Sequence, residues 1–398
     1  MPEEIELPNE ADPRRFYELD SLRGVAALTV VFHHFARICP ERLTHLLIRT
    51  PLRLLIAGHQ AVILFFLLSG FVLTLPYKKK NSLSYGLFLL KRVCRIYLPY
   101  LGALALAILC DLSFPGHGLS NNYWINYTWS QPVTARLTLQ HILFLGNYNW
   151  FQLNPAFWSL VYEMRISLIF PFIAVAVLRL RSIWLILCAV ALSLAFFPAA
   201  LLFSNVLHLS SLDAAINTTR TVHYAAFFII GSLLAKHLHT VNRWYARLKP
   251  VHAAILALVA LALYGFSEAS SLVQRLSIPE DLFDWPVAAG AVMLIILAMN
   301  SRPFHKFLTS RTIHYLGERS YSLYLIHGTI LFSLIHTLMG RVRLDVLFLL
   351  YLAITLSVTE IFYRFIEHPA MLFGRRLTAN RKALPQPTPL PVASVPLA

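Results

Sequence analysis

Mostly apolar windows recur along the chain at 22–38, 54–75, 96–112, 157–178, 182–203, 221–239, 251–267, 285–300, 320–339 and 344–366. Each approaches the roughly 20 residues that an α-helix needs to cross a hydrocarbon core. The pattern therefore predicts an all-α, polytopic transmembrane helix bundle of about ten spans. The run 139–151 (Leu-Gln-His-Ile-Leu-Phe-Leu-Gly-Asn-Tyr-Asn-Trp-Phe) is too short to cross and reads as an interfacial or re-entrant segment with aromatic anchors. No internal repeat suggests a transporter built from two halves.

Composition removes the alternatives. Of the 398 residues, 57% are hydrophobic and only 13% charged, and the mean hydropathy is +0.61. Soluble domains carry about 25% charged residues, and a chain this apolar cannot stay solvated as a disordered one. The formal net charge of +15 would suit a nucleic-acid partner if it formed one face. Instead, most of the basic residues fall on one side of the membrane once the N-terminus is placed in the cytoplasm. The clusters Lys78-Lys79-Lys80, Lys91-Arg92 with Arg95, and Arg375-Arg376 lie inside, which predicts N-in and C-in. The first outer loop, with Arg42, Arg49 and Arg53, is the exception. No nucleic-acid partner is expected; the bilayer is.

Cys39, Cys94, Cys110 and Cys188 are widely spaced, so no disulfide framework, zinc motif or other metal-ligand set is read. The acidic start Met1-Pro-Glu-Glu is unlike a cleaved signal. The layout expected is a cytoplasmic segment 1–18, a transmembrane unit 19–376 and a proline-bearing, disordered cytoplasmic tail 377–398.

Ionisable groups within spans are costly and mark function by default. Arg23 and His34 are separated by about 1100° of helix at 100° per residue, within about 20° of three turns, so both point from one face. A snorkelling arginine and a satisfied bundle histidine are the plain alternative. His33, about 100° away, reads as structural. Ser69-Gly70 suits close helix packing as well as chemistry. Arg92 and Arg95, three apart, suit a phosphate but also follow from the positive-inside rule. Glu163 and His34 lie at similar depth on two helices, as an oriented histidine–carboxylate pair requires. Arg165 could neutralise Glu163 or face a polar cavity. Glu360 and Arg364, four apart, read as a structural ion pair. His327 is either a satisfied histidine or a cavity wall.

These residues together resemble the acyltransferase-3 family of integral-membrane acyltransferases. The motifs are Leu19-Asp20-x-Leu22-Arg23-Gly24 with His34, Phe65-Phe66-x-x-Ser69-Gly70-Phe71, Arg92-x-x-Arg95-Ile96-Tyr97, Trp158-Ser159-Leu160-x-x-Glu163, and Ser320-Tyr321-Ser322-Leu323-Tyr324-Leu325-x-His327. The resemblance implies an enzyme that transfers an acyl group, usually acetyl, from acyl-CoA to a hydroxyl of a cell-surface or exported carbohydrate or glycolipid. It implies acyl-CoA as co-substrate, no permanently bound cofactor, and a bacterial inner membrane. Carried over by position, His34 is the general base, Arg23 its motif partner and Glu163 part of the active-site wall. Arg92 and Arg95 would hold the CoA phosphates, with Ser69 and Asp20 also on the donor side. Met164-Arg165-Ile166-Ser167 departs from the family pattern, where glutamine and aromatics commonly follow the glutamate. A proton-coupled transporter relaying through Asp20, His34 and Glu163 is the competing reading.

Overall fold

Inside lipid, only a helix's own ladder or a closed barrel satisfies every backbone N–H and C=O. The computed structural model describes residues 16–78, 84–114, 123–195, 198, 212–265 and 280–382, and among them the chain is all-helical. Ten helices follow the ten apolar windows. They are α1 (Tyr17–Ala36), α2 (Gly58–Thr74), α3 (Leu98–Ser113), α4 (Phe157–Arg179), α5 (Ser182–Leu194), α6 (Leu212–Lys236), α7 (Pro250–Tyr264), α8 (Asp284–Asn300), α9 (Ser320–Leu338) and α10 (Leu344–Phe362).

Six described helical stretches are long and apolar enough to cross a membrane: Gly58–Lys78, Tyr85–Ser113, Phe157–Arg179, Asp281–Asn300, Ser320–Leu338 and Leu344–Thr378. Ile216–Lys236 and Leu238–Tyr245, bent by 69°, make a seventh if they cross as one. The other windows differ for identifiable reasons. Helix α1 carries Glu18, Asp20 and Arg23 near its start, while α5 and α7 have 13 and 15 residues. Most of what remains of windows 182–203 and 251–267 lies outside the described residues. So do Lys79, Lys80, residues 1–15 and the proline-bearing tail beyond 382.

Helices α4, α5, α7 and α10 turn large apolar side chains outward, among them Phe172, Trp184, Leu258 and Leu349. Buried serines, threonines and histidines sit inside. Apolar outside and polar inside is the arrangement of a bundle solvated by lipid.

Helix α2 is central, packing against α1, α4, α6 and α8, while α9 joins α1, α3 and α10. The α2–α6 crossing explains one of the small residues in the sequence. A Cβ on Gly70 would collide with the Phe228 backbone, and one on Gly231 with the Leu67 backbone. Ser232 Oγ donates to the Gly70 carbonyl at 3.1 Å. Gly70 is thus a packing residue, as the small-residue rule for membrane helices expects. Gly70→Val should lower stability by about 3 kcal/mol, the upper end for overpacking, because backbone cannot yield as a side chain can. An unchanged melting temperature in detergent would refute this.

The segment after residue 134 holds no helix long enough to cross among the described residues. Its nine-residue helix Ala135–Leu143 is capped by Thr134, whose Oγ accepts from Leu137 N at 3.2 Å. It ends at Phe144, which takes a left-handed φ of 64° and is wedged against Tyr100. His141 lies beneath it with Nδ1 3.1 Å from the Tyr100 hydroxyl, and burial pushes its pKa down to about 4.

Two π-helical turns interrupt the bundle, at Val93–Tyr97 before α3 and at Tyr363–Glu367 after α10. Such bulges redirect side chains and concentrate near functional sites.

Candidate active site

One end of the bundle opens into a cavity of about 290 Å³. Arg23 from α1, Ser69 from α2, Glu163 from α4, and Arg92, Arg95 and Lys91 around the first π turn all line it. Four cationic side chains thus face one carboxylate, which favours an anionic guest. Ser159, Ser320, Tyr321 and Tyr324 add hydroxyls, and Phe65, Phe66, Phe88 and Leu160 supply apolar wall.

Glu163 is held from two sides. Its Oε1 accepts from Arg92 Nη2 at 2.7 Å and from Ser69 Oγ at 3.2 Å. Arg92 Nε donates to Ser167 Oγ at 3.2 Å, so α4 grips the guanidinium with residues one turn apart. Arg92 is buried, and its carboxylate partner explains how the charge is tolerated there. Arg23 leans on Asp20 Oδ1 at 3.5 Å, three residues back on the same helix. Asp20 does not itself line the cavity.

The pairing of His34 with Glu163 does not form. His34 Nδ1 lies 2.7 Å from Nε2 of His327 on α9, and the His34 ring runs nearly parallel to that of Trp124 with centroids 5.6 Å apart. Similar depth on two helices leaves azimuth open. Here α1 packs against α9, and Glu163 is turned toward Arg92. His34 is not among the cavity residues; Tyr324 links the two places. It lines the cavity, sets its ring 5.9 Å from that of His327 at a tilt of 57°, and shares a 2.6 Å hydrogen bond with Ser159.

The hydrogen bonds assign the tautomers of a neutral pair. His327 Nδ1 is 3.1 Å from the Leu323 carbonyl, which can only accept, so Nδ1 carries the proton. His327 Nε2 is then the acceptor, His34 Nδ1–H donates to it, and His34 Nε2 holds the lone pair. That is the tautomer a general base requires.

The remaining charged residues are structural. Arg165 does not touch Glu163. It donates to the carbonyls of Leu145, Gly146 and Asn217, and to Asn147 and Thr221, pinning the segment after Leu143 to α4 and α6. Glu360 pairs with Arg364 as its spacing suggests, and also accepts from Arg319 and Tyr315. His33 Nδ1 meets the Ile56 carbonyl at 2.8 Å, in keeping with a structural histidine. Glu367, in the second π turn, accepts from the Ser322 backbone and hydroxyl and so anchors the start of α9.

The sequence reading named Tyr324 within a motif and Ser167 within the departing run but gave neither a role, because a hydroxyl is unremarkable in any helix. It also passed over His59, His223 and Asp284, although the rule that drew attention to His34 applies equally to them.

The fold and the site thus define a helical membrane protein whose cationic cavity suits an anionic guest and borders a histidine dyad. The profile described as an acyltransferase domain matches residues 16–364, and the chain belongs to that acyltransferase family. It is 25% identical over 381 residues to O-acetyltransferase PaAT-1 of Phomopsis amygdali, covering 81% of this chain and 73% of that protein. It is 24% identical over 385 residues to O-acetyltransferase OatA of Staphylococcus aureus, covering 90% of this chain and 57% of OatA. A 101-residue stretch is 40% identical to protein 2 in picA locus of Rhizobium radiobacter, covering 25% of this chain and 47% of that protein. The chain thus spans about half the length of two of these relatives. No solved structure matches it.

Proposed function

We propose that the chain is a membrane O-acyltransferase that moves an acyl group, acetyl in the usual case, from acyl-CoA to a hydroxyl of an exported or cell-surface carbohydrate. The observation that carries this reading is the cationic cavity with the His34–His327 pair beyond its Tyr324 wall. The names of two relatives, both O-acetyltransferases, favour acetyl.

In this reading acyl-CoA enters from the arginine end. Arg92 is committed to Glu163, so the phosphates meet Arg95 and Arg23 first. The cavity takes the thioester-bearing arm more readily than a whole nucleotide. His34 Nε2 removes the proton from the acceptor hydroxyl as its oxygen attacks the thioester carbonyl, the C–S bond breaks, and the imidazolium returns that proton to the departing thiolate. His327 orients the imidazole and fixes its tautomer. Asp20, His34 and Glu163 each have a different partner, which speaks against a proton relay through them.

The topology proposed is ten crossings with both termini cytoplasmic, α1, α5 and α7 included, in a bacterial inner membrane. Residues 19–376 form the membrane unit between a cytoplasmic segment 1–18 and a tail 377–398. This puts the arginine cavity on the side where acyl-CoA is available. A reporter fused after Lys382 should then read as cytoplasmic, and an external signal would overturn the topology.

The function is tested by deleting the gene and comparing O-acyl groups on surface glycans by mass spectrometry. Loss of a glycan ester, restored by the intact gene, is the expected result. Unchanged esters, with solute counterflow by the purified protein in vesicles lacking acyl-CoA, would replace this reading with a transporter.

A further inference from the structure

At the opposite end of the bundle a second ionisable cluster is built from residues that do not line the arginine cavity. Asp284, at the start of α8, is almost wholly buried. Its Oδ1 lies 2.6 Å from Nε2 of His59 on α2, and its Oδ2 lies 3.0 Å from Nε2 of His223 on α6. Asp281 completes the group: ligand atoms of His223, Asp281 and Asp284 all fall within 4.8 Å of one another.

The surroundings are arranged as a supporting layer. Ser193 Oγ, on α5, is 2.7 Å from His223 Nδ1 and accepts from Trp285 Nε1 at 3.0 Å. Arg220 pairs with Asp281 at 3.2 Å. The histidine nitrogens nearest the carboxylates are therefore both Nε2, and the other ring nitrogen of His223 is held by a neighbour. Metal-binding histidines show this division of labour between their two nitrogens.

Charge accounting points the same way. Arg220 balances Asp281, but Asp284 pairs with two imidazoles, which are neutral unless one binds a proton. A buried carboxylate without a compensating positive charge is costly. Either a shared proton or a cation between the imidazoles and carboxylates removes that cost.

We propose that His223, Asp281 and Asp284 form a divalent transition-metal site of zinc type, with His59 holding the Asp284 carboxylate from the open side, structural in role and separate from the acyl-transfer chemistry. An imidazole nitrogen beside two carboxylates suits zinc, whereas magnesium and calcium prefer all-oxygen shells. Binding at Nε2 leaves the neutral His223 ring with its proton on Nδ1, facing Ser193, as a histidine ligand requires. Entry is from the His59 side, where the imidazole is one-third exposed, at 33%. Such a metal would tie α2, α6 and α8 together at the end remote from the arginine cavity.

The test uses the full chain in detergent, purified without a histidine tag and stripped with chelator. It is then incubated with zinc chloride, desalted and measured by elemental mass spectrometry. One zinc per chain in the wild type, lost in His223→Gln and Asp284→Asn, is the expected result. Should those variants fold poorly, cobalt substitution of the wild type is independent of them, and the visible bands of a tetrahedral cobalt site are expected. Wild type that retains no zinc and shows no cobalt bands would overturn the proposal and leave a cluster joined by a shared proton. Zinc retained equally by wild type and folded variants would overturn it too, by placing the metal elsewhere.

Discussion

Changing His34 to alanine is expected to lower acyl transfer about 10²–10⁴-fold while leaving the helix bundle assembled, the range by which a positioned general base contributes. The imidazole is joined to the rest of the protein chiefly through His327 and its stacking on Trp124, so the fold does not depend on it alone. The dyad makes a graded series. His327→Gln keeps a carbonyl oxygen that can accept the His34 Nδ1 proton, and it should cost less activity than His327→Ala. Neither should alter the KM for acyl-CoA, because the pair lies outside the arginine cavity. Labelled acetyl-CoA assayed in membranes gives these numbers, and a melting curve confirms that each variant is folded. Full transfer by His34→Ala would sink the base assignment. Wild-type kcat in His327→Gln and His327→Ala, with His34→Ala inactive, would remove only the orienting role. A burst of bound label in rapid-quench experiments would instead mark an acyl-imidazole on His34 as an intermediate.

The second large effect is expected at the Arg92–Glu163 pair. Glu163→Ala leaves a buried guanidinium with Ser167 as its remaining hydrogen-bond partner, and Arg92→Ala leaves the carboxylate with Ser69. Breaking one side of a buried pair costs about 3–5 kcal/mol. The lower end applies here, because the Glu163 side chain is 18% exposed toward the cavity. The double variant should be less destabilised than the sum of the singles, by on the order of 2 kcal/mol, as for any coupled pair. If Arg92 mainly gripped a donor phosphate, Arg92→Ala would raise the KM for acyl-CoA and leave the melting temperature unchanged. That outcome would return Arg92 to the donor side and leave Glu163 without its structural partner role.

Much of this architecture was legible from apolar windows alone. All ten windows became helices in the described residues, because an apolar stretch in lipid has few other ways to satisfy its backbone. The crossing count was less secure, since a window such as 22–38 sits on a helix whose early turns are charged. Of the candidate site residues, Arg23, Ser69, Arg92, Arg95 and Glu163 meet in one cavity, although they come from four places in the chain. Partnerships were harder to read. Helical spacing gives depth and face within one helix, but the rotation of one helix against another is set by packing. That is why Glu163 found Arg92 and His34 found His327. The close approach of α2 and α6 at Gly70 and Gly231, which sets part of that packing, leaves only small residues as its trace in the sequence.

That contact also bears on how the molecule can move. Where two helices touch through side chains, rotamer changes allow a little sliding; where backbone rests on backbone, such compliance is absent. Helices α2 and α6 therefore behave as one rigid strut, and Ser69, next to Gly70, is bolted to it. Any breathing that admits an acceptor has to be taken up at other seams, such as α1 against α9 at the histidine pair. Ser69, which donates to Glu163, stays as the fixed datum from which the moving parts are measured.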